Sequence, residues 1–312
     1  MRAAIAESYG NIEDVVRVSV VDEPVIGPTD LYVEMRAASV NPIDWLIVTG
    51  RVRILSETAF PLRLGSDGAG VVRAVGSEVA DFEVGDEVYF RVAPDRPGTF
   101  AEFVAVDAAL AARKPASATF VDAAGIPLVA LTAWQGLVEQ AGASAGQRLL
   151  VHGGAGAVGA AVVQLARDLG LHVTATASAQ DTAWVGSLGA DRVLDYRTQA
   201  FDAGPDSYDI VFDTVGGETQ TRSYAVLAHG GTLVSTVAAP AADVHAHLYG
   251  VQVKPFLMRP DGDQLARIAD LFDAGALRSR IDSVFSLADV GEALGRSASG
   301  HAKGKVVVVV AT

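Results

Sequence analysis

Residues 148–170 read RLLVHGGAGAVGAAVVQLARDLG. Arg148 to His152 is a short, mostly apolar run that stops at glycine, as a buried strand does. From Ala157 to Leu169, Val158, Val162, Leu165, Ala166 and Leu169 recur at helical spacing and share one face, and Gly170 follows as a C-terminal stop. Between strand and helix lies Gly154-Ala155-Gly156-Ala157-Val158-Gly159, which fits G-x-G-x-x-G. This context is the one a dinucleotide-binding turn requires. Gly154 would permit the tight turn, Gly156 would let the backbone approach a pyrophosphate at the helix N-terminus, and Gly159 would let helix and strand pack closely. The alternative is a tight strand-to-helix turn with no ligand.

Downstream, strand candidates recur at His172 to Ala177, Arg192 to Leu194, Asp209 to Asp213 and Thr232 to Thr236, separated by helices or turns, so this part of the chain predicts a doubly wound α/β sheet. Upstream the rhythm differs. Leu31 to Val40, Gly70 to Val75, Glu87 to Val92 and Phe100 to Val106 are β-type runs between glycine-rich turns, and residues 1 to about 115 read as a β-rich lobe. An amphipathic helix is expected over Gln264 to Phe272. The closing run Lys305 to Val310 reads as a buried strand whose lobe periodicity does not decide.

Composition bounds the function. The 312 residues suffice for two domains, and half are hydrophobic. A formal charge of −13 argues against nucleic acid or an anionic membrane as partner. No apolar run approaches a bilayer-spanning length and Met1-Arg2-Ala3 leads into a strand pattern, so a soluble, cytoplasmic protein is expected. The absence of cysteine excludes disulfides, thiolate catalysis and every zinc site built on sulfur.

The acid that holds a ribose 2′-hydroxyl is expected about 20 residues past the glycine loop. Here the second strand ends Thr176-Ala177-Ser178-Ala179-Gln180, which leaves room for a 2′-phosphate and favours NADPH over NADH, although Asp181 stands close by. No apparatus for activating a simple alcohol is evident. Among His152, His172, His229, His245, His247 and His301 there is no H-E-x-x-H, and no tyrosine is followed four positions later by lysine. His245 and His247 would share a face on a strand, but no third ligand is indicated, so packed or solvated histidines are the expectation. A quinone or enone avoids the difficulty by spreading the incoming charge onto a distant oxygen, which favours such acceptors.

Seven motifs resemble the zinc-independent quinone oxidoreductases of the medium-chain dehydrogenase/reductase superfamily. They are Ser39-Val40-Asn41-Pro42-Ile43-Asp44, Gly65 to Val71, Val84-Gly85-Asp86-Glu87-Val88, Leu131-Thr132-Ala133-Trp134, the glycine loop, Asp213-Thr214-Val215-Gly216-Gly217 and Gly304-Lys305-Val306. The resemblance covers nearly the whole chain. It implies a GroES-like β-rich catalytic domain over 1–117, a Rossmann domain over 118–257, and a segment 258–312 returning to the first. It places Asn41, Asp44 and Thr132 at the reacting centre, with capping of a turn as the plain alternative for Asn41 and Asp44.

For the cofactor it implies contacts from Gly154, Ala155, Gly156, Ala157, Val158, Gly159, Ser178, Tyr196, Thr214, Val215 and Val237, with Arg197 as a replacement cation and Lys303 and Lys305 also facing the nucleotide. Tyr196 packed over the third strand, and lysines facing solvent, are the alternatives. Zinc-containing relatives place ligands near Asn41 and Ser66, so the resemblance implies no metal here, and it implies a homodimer. The substrate would be a small quinone or enone, with an enoyl thioester as a further option. A nucleotide-binding sensor without turnover is the reading from another class. Trp45, Ile47, Arg53, Tyr249 and Phe256 are candidate pocket walls.

Overall fold

The computed structural model describes residues 1–52, 60–204 and 207–310, so Arg53 lies outside the described residues. Two units form: Met1–Leu128 with Pro260–Gly275 and Ser279–Thr312, and Val129–Arg259 with Ala276–Arg278.

The first unit contains β1 (Arg2–Ala6), β2 (Val16–Val20), β3 (Asp30–Val40), β4 (Leu62–Arg63), β5 (Asp67–Val75), β6 (Glu87–Arg91), β7 (Phe103–Asp107) and β8 (Ala111–Arg113). β3 shows why this part of the chain forms strands: Leu31, Val33 and Met35 are buried while Tyr32, Glu34 and Arg36 are less so, the two-residue alternation of a strand with one face on a core. Its last four residues, Ala37 to Val40, are all buried, and there it pairs with β5 on one side. The helix Phe120–Ala124 packs on β3 and β5, so this unit runs on to Leu128 rather than closing near 117. The core gathers Leu31, Val33, Met35, Val72, Val88, Phe90 and Phe100.

The second unit contains β9 (Arg148–His152), β10 (His172–Ala177), β11 (Arg192–Asp195), β12 (Tyr208–Asp213), β13 (Leu227–Ser235) and β14 (Gln252–Pro255). All pair in parallel, in the order β11-β10-β9-β12-β13-β14. Counted from β9 this is the 3-2-1-4-5-6 order of the doubly wound dinucleotide-binding fold. The order reverses between β9 and β12, and in such sheets the crevice for ligand opens at the carboxyl ends of the strands there. The helix Ala157–Asp168 buries Val162, Leu165 and Ala166 as its periodicity predicts, but Ala160, Ala161, Val163 and Gln164 are buried as well. Gly170 then takes a φ of 78°, the left-handed stop.

Two more strands belong to the first unit, β15 (Ile281–Ser286) and β16 (Lys305–Val309). β16 pairs in parallel with β15 and antiparallel with β3, and the first four of its residues are buried. That double pairing accounts for the unbroken valine run and settles which lobe the tail joins. No helix among the described residues is long and apolar enough to cross a membrane.

Candidate functional site

In the second unit the chain leaves β9 at His152 and turns through Gly153, whose φ of 75° is the left-handed conformation the turn needs. The tight-turn glycine is therefore Gly153, not Gly154 as the motif reading has it. Gly154 serves packing: a Cβ there would stand 2.9 Å from the Ala175 Cβ of β10. Gly159 lies against the turn itself, since a Cβ would come within 2.2 Å of the Gly153 carbonyl oxygen. Gly156 is the N-cap of the helix, exposed, with φ −70° and ψ 162°, angles open to any residue. A Cβ there would meet the Gly153 carbonyl at 3.3 Å and nothing else. Backbone and packing leave Gly156 largely unexplained, whereas a phosphate resting on the first-turn N–H groups of Ala157 and Val158 would need that bare surface. Ala155, Ala157 and Val158 are half-buried around it.

The neighbouring strand ends complete this crevice. Thr214 Oγ1 donates to the His152 carbonyl oxygen at 2.8 Å, which ties the turn after β12 to the end of β9. Val215 is 54 % exposed, and a Cβ at Gly216 would touch Val237 Cγ2 at 2.9 Å, so Thr214, Val215 and Val237 gather beside the glycine loop. On the other flank Ala177 pairs with Asp195, and the Tyr196 N–H donates to the Ala177 carbonyl at 3.1 Å, which sets Ser178 beside Tyr196. Tyr196 is 59 % exposed and so does not pack as core over β11; the Arg197 guanidinium lies 5.6 Å from its ring centroid. Asp181 is buried, and its carboxylate accepts the Ser178 hydroxyl at 2.8 Å.

Beneath the loop His152 is fully buried. Its Nε2 is 2.9 Å from Ser223 Oγ, and burial depresses the imidazole to about 4, so it is neutral at pH 7. His245 and His247 stand on the helix Ala242–Tyr249 rather than on a strand, which turns them to different sides, and His245 stacks on Tyr224 at 4.5 Å. Of the pocket-wall candidates, Tyr249 joins that stack, and Phe256 packs toward Gly136.

The first unit holds a second cluster. Asn41 caps the helix Pro42–Val48, and its N–H donates to Asp44 Oδ2 at 2.7 Å, so Asp44 does cap this turn. The Asn41 side chain does something else: Nδ2 donates to Asp67 Oδ2 at 2.9 Å while Oδ1 accepts from Lys305 Nζ. Lys305 also donates to the Val40 carbonyl at 3.2 Å. Arg91 Nη1 donates to Asp67 Oδ1 and to Ser66 Oγ, both at 2.8 Å. Asn41, Asp44, Asp67 and Lys305 are all buried. Burial raises the Asp44 carboxyl to about 6 and lowers the Lys305 ammonium from its usual range.

Lys305, which the resemblance turns toward the cofactor, has its ammonium bonded to the Val40 carbonyl and to Asn41 Oδ1. Lys303 lies two residues before it, its N–H held by Asp282 Oδ1 at 2.7 Å. Thr132 is buried in the helix Pro127–Trp134, on the part belonging to the second unit. Trp45 carries the Arg51 guanidinium 5.8 Å from its ring centroid, and Ile47 is half-buried. Sequence reasoning missed Gly153, Asp67 as a hub and Arg91. The first stood one residue outside the motif, the second inside a quoted one, and an arginine ending a strand gave no signal.

A glycine loop at the switch point of one unit and a buried polar cluster in a β-rich other unit define a two-domain nucleotide oxidoreductase. The alcohol dehydrogenase GroES-like domain family matches residues 27–116, and the zinc-binding dehydrogenase family matches residues 188–308. The NAD(P)H oxidoreductase RTN4IP1, mitochondrial, of Mus musculus is 34% identical over 99% of this chain and 89% of its own length. The NADPH-dependent alkenal/one oxidoreductase, chloroplastic, of Arabidopsis thaliana is likewise 34% identical, over 99% of this chain and 79% of its own. Among solved structures, the quinone oxidoreductase from Coxiella burnetii superposes with a TM-score of 0.91 at 29% identity, covering 100% of this chain and 99% of that one. The chain belongs to the quinone oxidoreductase family of the medium-chain dehydrogenase/reductase superfamily.

The zinc in one family's name does not fit the residues present. There is no cysteine, and among the described residues no three histidine, aspartate or glutamate side chains are grouped to hold a metal ion. Asp67 is paired with Arg91, and Asp44 holds the Asn41 N–H.

Proposed function

We propose that the protein is an NADPH-dependent reductase of quinones or similar conjugated carbonyls, enones among them, that works without zinc. The observation that carries this reading is the Asn41–Asp67–Arg91–Lys305 array, whose carboxylate is already satisfied by a guanidinium and an amide. An isolated carbonyl needs an electrophile at its oxygen, whereas a conjugated acceptor disperses the charge.

Bound NADPH would supply the hydride. Gly156 and the N–H groups of Ala157 and Val158 are suited to its pyrophosphate, Ser178, Tyr196 and Arg197 to the 2′-phosphate, and Val215 and Val237 to an apolar wall. Asn41 and Asp44 would stand at the reacting centre, and the resemblance adds Thr132. The printed names of the alkenal/one and quinone oxidoreductase relatives support the acceptor class.

A homodimer is part of the same proposal. β14 pairs with no described strand on its outer edge, and Val244, Leu248 and Leu257 near it are 64%, 68% and 81% exposed. Sedimentation at the mass of one chain would remove this part.

The test follows the NADPH absorbance band with a panel of quinones and enones, alongside NADH and elemental analysis of the same preparation. Turnover with NADPH by a zinc-free preparation is expected. One zinc per chain that turnover requires, or no oxidation with any acceptor, would overturn the reading.

A further inference from the structure

Ser66 is where the buried cluster of the first unit meets solvent. It is half-buried, and its Oγ accepts from Arg91 Nη1 at 2.8 Å and lies 3.5 Å from Asp44 Oδ1. The other Asp44 oxygen is already taken by the Asn41 N–H at 2.7 Å, so Oδ1 is the oxygen left to carry a proton, and it points at the serine.

A hydroxyl oxygen has one proton to give and two lone pairs to accept with. With Asp44 protonated, its proton would turn toward Ser66 Oγ, which already accepts from Arg91, and the serine's own proton would be free to turn outward. With Asp44 ionised, the serine proton turns inward to the carboxylate. We propose that Ser66 is the proton donor to the reduced acceptor and that Asp44 reloads it. This rests on the reading of the chain as a conjugated-carbonyl reductase.

The step balances as follows. The hydride pair forms the new C–H bond, and the π electrons move to the acceptor oxygen. The Ser66 O–H bond breaks toward that oxyanion, the Asp44 proton passes to Ser66 Oγ, and a solvent proton restores Asp44. Arg91 steadies the serine oxygen while it carries negative charge. Ser66 would be the catalytic residue; Asp44 and Arg91 position and recharge it. The groups facing Asp44 are Arg91 on β6 and Lys305 on β16, which favour its ionised form, Asp67 on β5, which opposes it, and the Asn41 N–H, which favours it. Burial outweighs them and holds the carboxyl at about 6, where proton loss and return are both accessible.

The experiment compares wild type, Ser66→Ala, Ser66→Thr and Asp44→Asn with an acceptor the wild type reduces. Ser66→Ala should lower kcat about 100-fold, the scale of general acid catalysis, with NADPH affinity unchanged, and Ser66→Thr should restore most of it. Wild-type kcat should fall as pH rises through about 6, and Asp44→Asn should flatten that limb, because its amide can hold Ser66 but cannot reload it. Wild-type kcat in both Ser66 variants, or an unchanged limb in a folded Asp44→Asn protein, would overturn the relay while leaving the reductase reading intact. A wild type that reduces no quinone or enone would instead remove the reductase reading beneath it.

Discussion

Asp67 in the first unit and Asp213 in the second are both fully buried carboxylates, and their partners differ in kind. Asp67 receives a guanidinium, Arg91, at 2.8 Å, with the Asn41 amide at 2.9 Å and the Leu128 N–H at 3.2 Å. Among the described residues Asp213 receives only neutral donors: the N–H groups of Val215 and Gly216 at 2.9 Å, Gln220 Nε2 at 2.8 Å and Ser235 Oγ at 3.3 Å. The first arrangement brings cations and anions together around a hydroxyl that reaches solvent. The second uses a carboxylate to shape a turn beside the glycine loop without placing a cation where it would compete for a phosphate. A neutral set has spare donors, so its members are individually replaceable, whereas Arg91 is the cation bonded directly to Asp67.

The largest test of that contrast is to remove one donor from each. Arg91→Met should lower stability by about 3–5 kcal/mol, since it strands a buried charge. Gln220→Leu should lower it by about 1–3 kcal/mol, because backbone N–H groups still hold Asp213. Denaturant unfolding of both variants reads the difference, and equal losses would break the comparison.

Acid titration separates the two clusters by sign. His152 is depressed from 6.5 to about 4, so the unfolded chain binds the extra proton between those values, and stability present above pH 6.5 is lost as pH falls toward 4. Asp44 is raised from 3.8 to about 6, so the folded chain binds the extra proton, and stability present below pH 4 is lost as pH rises through 6. Each contributes about 3 kcal/mol at about 1.4 kcal/mol per pKa unit, and between pH 4 and 6 they oppose each other. Asp44→Asn should therefore make the protein more acid-labile over that range, and His152→Asn should make it less so. Unfolding free energies at pH 4.5 and 7 decide this; shifts of the same sign in both variants would sink it.

How far the sequence carries follows the same division. Arg148–His152, the glycine loop and the helix after it are local: one strand, one turn and one amphipathic face contiguous in sequence, and the structure matches them nearly residue by residue. The misplaced turn glycine is a small error, because Gly153 and Gly154 adjoin and only the backbone angle tells them apart. The ionic cluster is not local. Lys305 meets Asn41 across 264 positions and Arg91 meets Asp67 across 24, both through the antiparallel register of one sheet. No periodicity reports which side chains such a register sets opposite one another. The pairing of Arg91 with Asp67 therefore leaves no mark in the sequence. For His245 and His247 the element type itself decided: on a helix, residues two apart diverge.

The smallest expected effect concerns the exposed edge of the second unit, where Arg197 rests over Tyr196 beside Ser178. The sequence leaves Asp181 as an anion that could oppose a 2′-phosphate, but its carboxylate is buried and accepts the Ser178 hydroxyl, so it is turned away from solvent. Replacing it would disturb a packed strand end, which makes Arg197 the cleaner probe. Both Tyr196 and Arg197 are exposed, so a guanidinium–phosphate contact there is screened and contributes about 0.5–1 kcal/mol. Arg197→Ala should weaken NADPH binding about two- to fivefold, leave NADH binding unchanged, and lose its effect as salt is raised. Dissociation constants for both cofactors at low and high ionic strength test this. An equal loss for NADH would move the contribution of Arg197 from the 2′-phosphate to the adenosine it shares with NADPH, and no loss for either would leave Ser178 and the Tyr196 edge to account for any preference.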